Sequence, residues 1–127
     1  GVLRGLHYQV KQAQGKLVRV VEGEVYDVVV DLRQSSSTFG QWEGITLSAQ
    51  NFRQVWVPEG FAHGFLVLSE TAEFLYKTTD FYAPEHERCI KWDDPQLAID
   101  WPAAGLEIQV SAKDKQGAAF AGAEYFS

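Results

Sequence analysis

The chain has 127 residues, 46% apolar, 22% charged and 13% aromatic, proportions that fit one globular domain able to bury a core of its own. Eleven Lys and Arg against seventeen Asp and Glu leave a formal charge of −6, which argues against nucleic acid or an anionic membrane as the main partner. Its apolar runs are short, with Asp27 already interrupting Val25–Val30, and nothing approaches the roughly 18 residues a transmembrane helix needs. The chain opens at Gly1 in a stretch that reads as a strand, and it contains no methionine, so its start is expected to have been cut, processed or left out. Short stretches rich in Val, Phe, Tyr, Trp and Thr follow at Lys16–Val21, Glu24–Asp31, Gln41–Ser48, Arg53–Val57, Gly64–Ser69, Ala72–Thr79 and Glu87–Trp92, a strand vocabulary. Turn signals separate them: Glu22-Gly23, the serine run before Thr38, Pro58 with Gly60, and Ala83-Pro84. Many short strands with such spacing predict a sandwich or barrel. In Glu24–Asp31 neither alternating face is cleanly polar, so that strand is expected to be covered on both sides or to line a polar cavity. Only the tail differs, where Ser111 stands three residues before Asp114 in a cap-like pattern that predicts a short helix or turn.

A single cysteine, Cys89, allows no internal disulfide, and no basic-then-apolar leader precedes the domain, so a cytoplasmic location is expected. Cys89 itself, between Arg88 and Ile90, reads as a structural buried thiol. Three histidines are present. His86, flanked by charges, reads as a surface residue, whereas His7 and His63 sit in apolar, glycine-bearing stretches where the simplest reading is a hydrogen-bonded histidine in or near the core. Trp56, Trp92 and Trp101 are assigned to the core or to a subunit interface.

Gly1 followed by His7, and later Pro58-x-Gly60-x-x-His63, resemble the two motifs of the cupin superfamily, small jelly-roll β-barrels. Metal-binding cupins carry His-x-His and then Glu in the first motif. Here Gln9 replaces the second His and Gln14 stands near the Glu position, and a neutral amide oxygen is a poor ligand for a transition metal. No metal and no other cofactor is therefore expected, and the retained histidines point to acid–base chemistry.

The resemblance extends further. Gly-Val-Leu-Arg-Gly-Leu-His-Tyr-Gln, Gln-Gly-Lys-Leu-Val-Arg, Gly-Glu-Val-Tyr-Asp-Val, Pro-Glu-Gly-Phe-Ala-His-Gly-Phe, Glu-Phe-Leu-Tyr-Lys-Thr-Thr-Asp and Ser-Ala-Lys-Asp, in this order from Gly1 to Asp114, resemble the dTDP-4-dehydrorhamnose 3,5-epimerase family. The resemblance implies an all-β cupin barrel with a short helical or irregular C-terminal segment, spanning 1–127 as one domain. It also implies a further segment of some tens of residues before Gly1, without which weak or no turnover is expected. The implied activity is that of an isomerase that inverts carbons 3 and 5 of a dTDP-linked 4-keto-6-deoxy sugar on the way to dTDP-L-rhamnose, in a homodimer. By the same resemblance His7 is the base, Asp114 its partner, Tyr76 the acid on the far side and Lys16 the cation at the enolate oxygen. Arg4 is assigned to the diphosphate, Asp27 and His63 to the pocket, and Tyr82 to the sugar or base. Taken singly, each has a plainer role: Tyr76 a buried hydroxyl, Lys16 a strand-end residue, Asp114 a cap, Arg4 half of a surface ion pair. Three other readings compete: a relative that inverts one carbon or moves the ketone, a non-catalytic sugar-nucleotide-binding cupin, and a metal-dependent cupin using His7 and His63.

Overall fold

Nine strands and one helical turn follow one another as β1 (Val2–Gln9), β2 (Lys16–Glu22), β3 (Glu24–Asp31), β4 (Trp42–Ser48), β5 (Gln54–Val57), β6 (Phe61–Val67), β7 (Glu73–Thr78), β8 (Glu87–Cys89), β9 (Gln109–Val110) and α1 (Ala112–Lys115) in the computed structural model, which describes residues 1–127. The larger sheet runs β4-β3-β6-β1-β8, with β9 added in parallel to β1, and the smaller runs β5-β2-β7. All pairings but that of β9 are antiparallel. The two sheets pack face to face through Val18 and Val20 of β2 against Val25 of β3 and Leu47 of β4. This is the all-β, jelly-roll type of barrel that the motifs predict.

The alternation of β3 explains how the sheet is covered. Val25 faces the smaller sheet, while Val28 and Val30 point the other way, into a second core with Leu6, Leu32, Ala62, Ile90, Leu97 and Phe120. Of the two expectations for this strand, cover on both sides or a polar cavity, the first is met, and the C-terminal tail supplies the outer cover. Buried Asp94 organises that cover by accepting hydrogen bonds from the backbone N–H groups of Gln96, Leu97 and Phe120. Tyr8 reaches through from β1 to donate to the Glu124 carbonyl at 2.7 Å. Each fully buried aliphatic or Phe side chain here is worth about 1.5–3 kcal/mol, so the tail is part of the domain's stability.

Two strand boundaries differ from expectation by three residues, the others by two or fewer. β6 begins at Phe61, three residues before Gly64, because Gly60 takes a positive φ of 92° that completes the Pro58 turn and lets the extended chain resume at once. His63 is therefore inside a strand. β8 stops at Cys89, and Ile90 bridges instead to Ala118 of the tail. The segment predicted around Ser111 forms as α1, with the Ser111 hydroxyl accepting from the Asp114 N–H at 3.2 Å.

At the end of β3, Asp31 is almost fully buried and receives Arg33 through both Nε (3.0 Å) and Nη2 (2.9 Å), together with the Thr38 hydroxyl (2.6 Å) and the Arg33 N–H (2.9 Å). Burial alone would raise this carboxyl, but hydrogen bonds from Arg33, Ser36 and Thr38 outweigh it and hold it well below its ordinary 3.8. A carboxyl whose folded value is depressed stabilises the fold above its unfolded value, and that contribution is lost as pH falls through the folded one. Acid titration followed by circular dichroism should therefore show Asp31→Asn less stable than wild type at neutral pH, with the gap closing below about pH 4. A gap that stays constant on acidification would contradict this.

Candidate active site

A one-residue irregularity in β1 builds the site. Between Arg4 and His7 the strand advances three residues while its partner β6 advances two, from Phe65 to His63. In a regular strand residues three apart lie on opposite faces; the extra residue brings Arg4 and His7 to the same side. Gly5 carries the distortion with φ +127°, and a Cβ there would lie 2.6 Å from the Cα of Gly64. Two glycines thus meet back to back where the irregularity needs room.

A cavity of about 800 Å³ opens between the sheets, lined by Arg4 and His7 from β1, Lys16 from β2, His63 from β6, Tyr76 from β7, and Tyr82. Asp114 and Asp27, both buried, stand behind it, each holding one histidine. The structure thus gathers all eight sequence-predicted site residues around one cavity.

His7 Nε2 lies 2.6 Å from Asp114 Oδ1, and the other carboxylate oxygen accepts the Gly5 N–H at 3.1 Å. A carboxylate only accepts, so in the neutral ring Nε2 carries the proton and Nδ1 keeps its lone pair. Asp114 is 3% exposed and His7 28%, which leaves the imidazole open to the cavity while its partner is shielded. His63 repeats the pattern with Asp27 Oδ2 at 2.8 Å, more deeply buried, and Asp27 Oδ1 has no partner.

The smaller sheet supplies the facing wall. Lys16 begins the inward series Lys16, Val18, Val20 and takes part in no ion pair. Burial lowers its pKa, with the charges of Glu87 and Asp27 working against that shift. Phe74 stacks on Phe65 at 4.5 Å and on His63 at 6.0 Å, and Tyr76 sits beside Phe74 at 6.1 Å. Tyr76 is 60% exposed, so the buried-hydroxyl alternative for this residue does not hold. Arg4 also makes no ion pair, which removes its plainer reading as half of a surface pair.

Gln9 and Gln14 have other work than metal binding. The Gln9 carbonyl oxygen accepts the Ala83 N–H at 2.9 Å and its amide donates to Gln12 and Phe81 carbonyls, while the Gln14 amide donates to the Asp80 carbonyl at 2.8 Å. Both amides latch the loop that carries Tyr82.

Sequence reasoning missed Glu87 and placed Cys89 incompletely. Across the β1–β8 ladder Gln9 opposes Glu87 and His7 opposes Cys89, so both β8 side chains share the His7 face. Glu87 lines the cavity and pairs with Lys113 at 2.5 Å. The Cys89 Sγ is 3.8 Å from Asp114 Oδ1, and burial, then the nearby Asp114 charge, push its thiol up to about 12. The thiol is half-buried, as expected in part, but a histidine absent from its sequence neighbourhood stands beside it in space. The available signal was the period of two in Glu87–Cys89. Trp56 lies on the outer face, 54% exposed, and Trp101 joins the core under the tail.

Residues 1–122 match the dTDP-4-dehydrorhamnose 3,5-epimerase family. The chain is 69% identical to the dTDP-4-dehydrorhamnose 3,5-epimerase of Pseudomonas aeruginosa, over 99% of this chain and 69% of that one. It is 58% identical to the enzyme of the same name from Shigella flexneri, again over 99% of this chain and 69% of the other. Among solved structures, a dTDP-6-deoxy-D-glucose-3,5-epimerase from Legionella pneumophila in complex with dTDP-4-keto-L-rhamnose superposes with a TM-score of 0.93 at 57% identity, over 98% of this chain and 65% of that one. The chain thus spans about two thirds of the length of these relatives. With the family matched over nearly all of its residues, and with the paired histidines, the unpaired lysine and the facing tyrosine in one cavity, the chain belongs to the dTDP-4-dehydrorhamnose 3,5-epimerase family.

Proposed function

We propose that this chain is an isomerase that inverts carbons 3 and 5 of dTDP-4-dehydro-6-deoxy-D-glucose to give dTDP-4-dehydro-L-rhamnose. The observation that carries the reading is the placement of a carboxylate-held base, His7, and a phenol, Tyr76, on facing sheets of one cavity, with the unpaired Lys16 ammonium lining the same cavity. A proton next to a ketone leaves only if a base is in place and the charge appearing on the carbonyl oxygen is met. His7 takes the proton, and Asp114 orients the ring and balances the imidazolium. Lys16 meets the enolate oxygen; a cation already stripped of much of its water and bound to no carboxylate is free to do so. Tyr76 returns a proton from the opposite face, which inverts the carbon. Arg4 faces the diphosphate, Tyr82 and the His63–Asp27 pair shape the sugar site, and Glu87, held by Lys113, offers an acceptor to a sugar hydroxyl.

The test is NMR of substrate in deuterated water. Label should enter at both carbon 3 and carbon 5, whereas an enzyme that inverts one carbon need label only one, and a mere binder labels neither. Tyr76→Phe should keep exchange on the His7 side while net inversion falls by about 10²-fold or more. Equal losses of exchange and inversion would remove Tyr76 as the acid.

The same reading carries a homodimer in the cytoplasm. No helix is long and apolar enough to cross a membrane. The outer face of the smaller sheet exposes Leu17, Val21, Trp56 and Leu75, and an apolar strand surface of this kind suits a second subunit. Light scattering decides the oligomeric state.

A further inference from the structure

We infer that His7, Cys89 and Asp114 together form a site for a zinc-class divalent cation, whose occupancy takes the base out of use. The three side chains come from β1, β8 and α1, and their ligand atoms, an imidazole nitrogen, a thiol sulfur and a carboxylate oxygen, lie within 4.8 Å of one another. Zinc bonds of about 2.0–2.3 Å in a tetrahedron put ligand atoms roughly 3.3–3.6 Å apart. Cys89 Sγ and Asp114 Oδ1 are 3.8 Å apart, close to that separation, and the 2.6 Å His7–Asp114 pair has to open by under about 1 Å.

The surroundings favour the site. The Gly5 N–H holds Asp114 Oδ2, which leaves Oδ1, the oxygen turned to His7 and Cys89, as the ligand atom, and the Ser111 cap fixes the turn that presents it. The direct pairing of His7 with Cys89 across the ladder sets their spacing by backbone hydrogen bonds. His7 lines this cavity and Asp114 lines a second one, so an ion has an entry path and a water can complete its coordination. One oxygen, one nitrogen and one sulfur suit zinc or cobalt, while magnesium and calcium require mainly oxygen ligands.

Protons balance simply. The cation replaces the Cys89 S–H proton, which goes to solvent, and it takes the Nε2 position of His7, whose ring proton moves to Nδ1. The lone pair that abstracts the substrate proton is thereby lost. This loss of activity rests on the reading of His7 as the base; binding of the ion does not.

Cobalt titration of the chain tests binding without any turnover. A thiolate-to-cobalt charge-transfer band should appear in the wild type, be bleached by added zinc, and be absent in Cys89→Ser. In the deuterium-exchange assay zinc should slow the wild type, a chelator should restore the rate, and magnesium should do nothing. Cys89→Ser and Cys89→Ala, each compared with its own zinc-free rate, should need at least about tenfold more zinc for the same inhibition. A cobalt spectrum without the thiolate band, or equal zinc affinity in wild type and both variants, overturns the site. A thiolate band accompanied by an undiminished exchange rate keeps the site and removes His7 as the base.

Discussion

Replacing His7 by alanine is expected to slow the entry of solvent deuterium into the sugar by about 10²–10⁴-fold, the usual contribution of a positioned general base. The expectation follows from placement. Among the histidines of the cavity wall, His7 is 28% exposed to the cavity while its carboxylate partner is 3% exposed, whereas the His63 side chain is only 7% exposed. Binding of deoxythymidine diphosphate should change little, because the proposed role of His7 is removal of the sugar proton and that of Arg4 is contact with the diphosphate. Exchange and nucleotide binding, measured by NMR and calorimetry on the same samples, separate the two effects. Undiminished exchange in His7→Ala would remove the base assignment.

Gly5→Ala should be a severely damaging small substitution, costing about 3 kcal/mol or more of stability. Two causes act together: a positive φ of 127° that L side chains rarely adopt, and a Cβ placed 2.6 Å from the Gly64 Cα and 2.9 Å from the His63 carbonyl oxygen. Both contacts are backbone and neither can swing away. Against a typical total of about 5–15 kcal/mol, this is a large share. Gly64→Ala separates the causes, since its Cβ meets the Arg4 carbonyl oxygen at 2.7 Å but its φ is not strained, and it should lose less. Gly122→Ala meets nothing within 4 Å and should stay within about 0.5 kcal/mol of wild type. Urea midpoints rank the three, and a wild-type midpoint for Gly5→Ala would refute the argument. Because the same irregularity turns Arg4 and His7 to one side, surviving Gly5→Ala protein should also lose catalysis.

Much of the fold could be read along the chain. The alternation of Glu24–Asp31 predicts a strand covered on both faces or lining a polar cavity, and the Ser111–Asp114 spacing predicts a short capped helix or turn. Both are local patterns that need no partner to be recognised. The start of β6 was misplaced because the turn at Pro58 ends on a positive φ at Gly60, and a glycine does not announce its conformation. In a regular strand Arg4 and His7 fall on opposite faces, and only the register against β6 reveals the extra residue that turns both to one side. Arg88 and Ile90, its immediate sequence neighbours, mark Cys89 as a structural thiol, while its neighbour across the ladder is His7.

The sequence by itself determined the strand-rich class, the order of the motifs and the residue types from which an acid–base site can be made, because propensity, turn chemistry and motif order are written in neighbouring positions. Only the tertiary structure decided which groups meet: Asp114 with His7 across 107 positions, Asp27 with His63 across 36, Cys89 with both members of the first pair, and Lys16 with no partner. The reason is physical. Hydrogen bonding and desolvation depend on distances of a few ångströms, and in a two-sheet fold those distances are set by ladder register, one bulge and a tail that returns to β1, none of which is a property of any short stretch of chain.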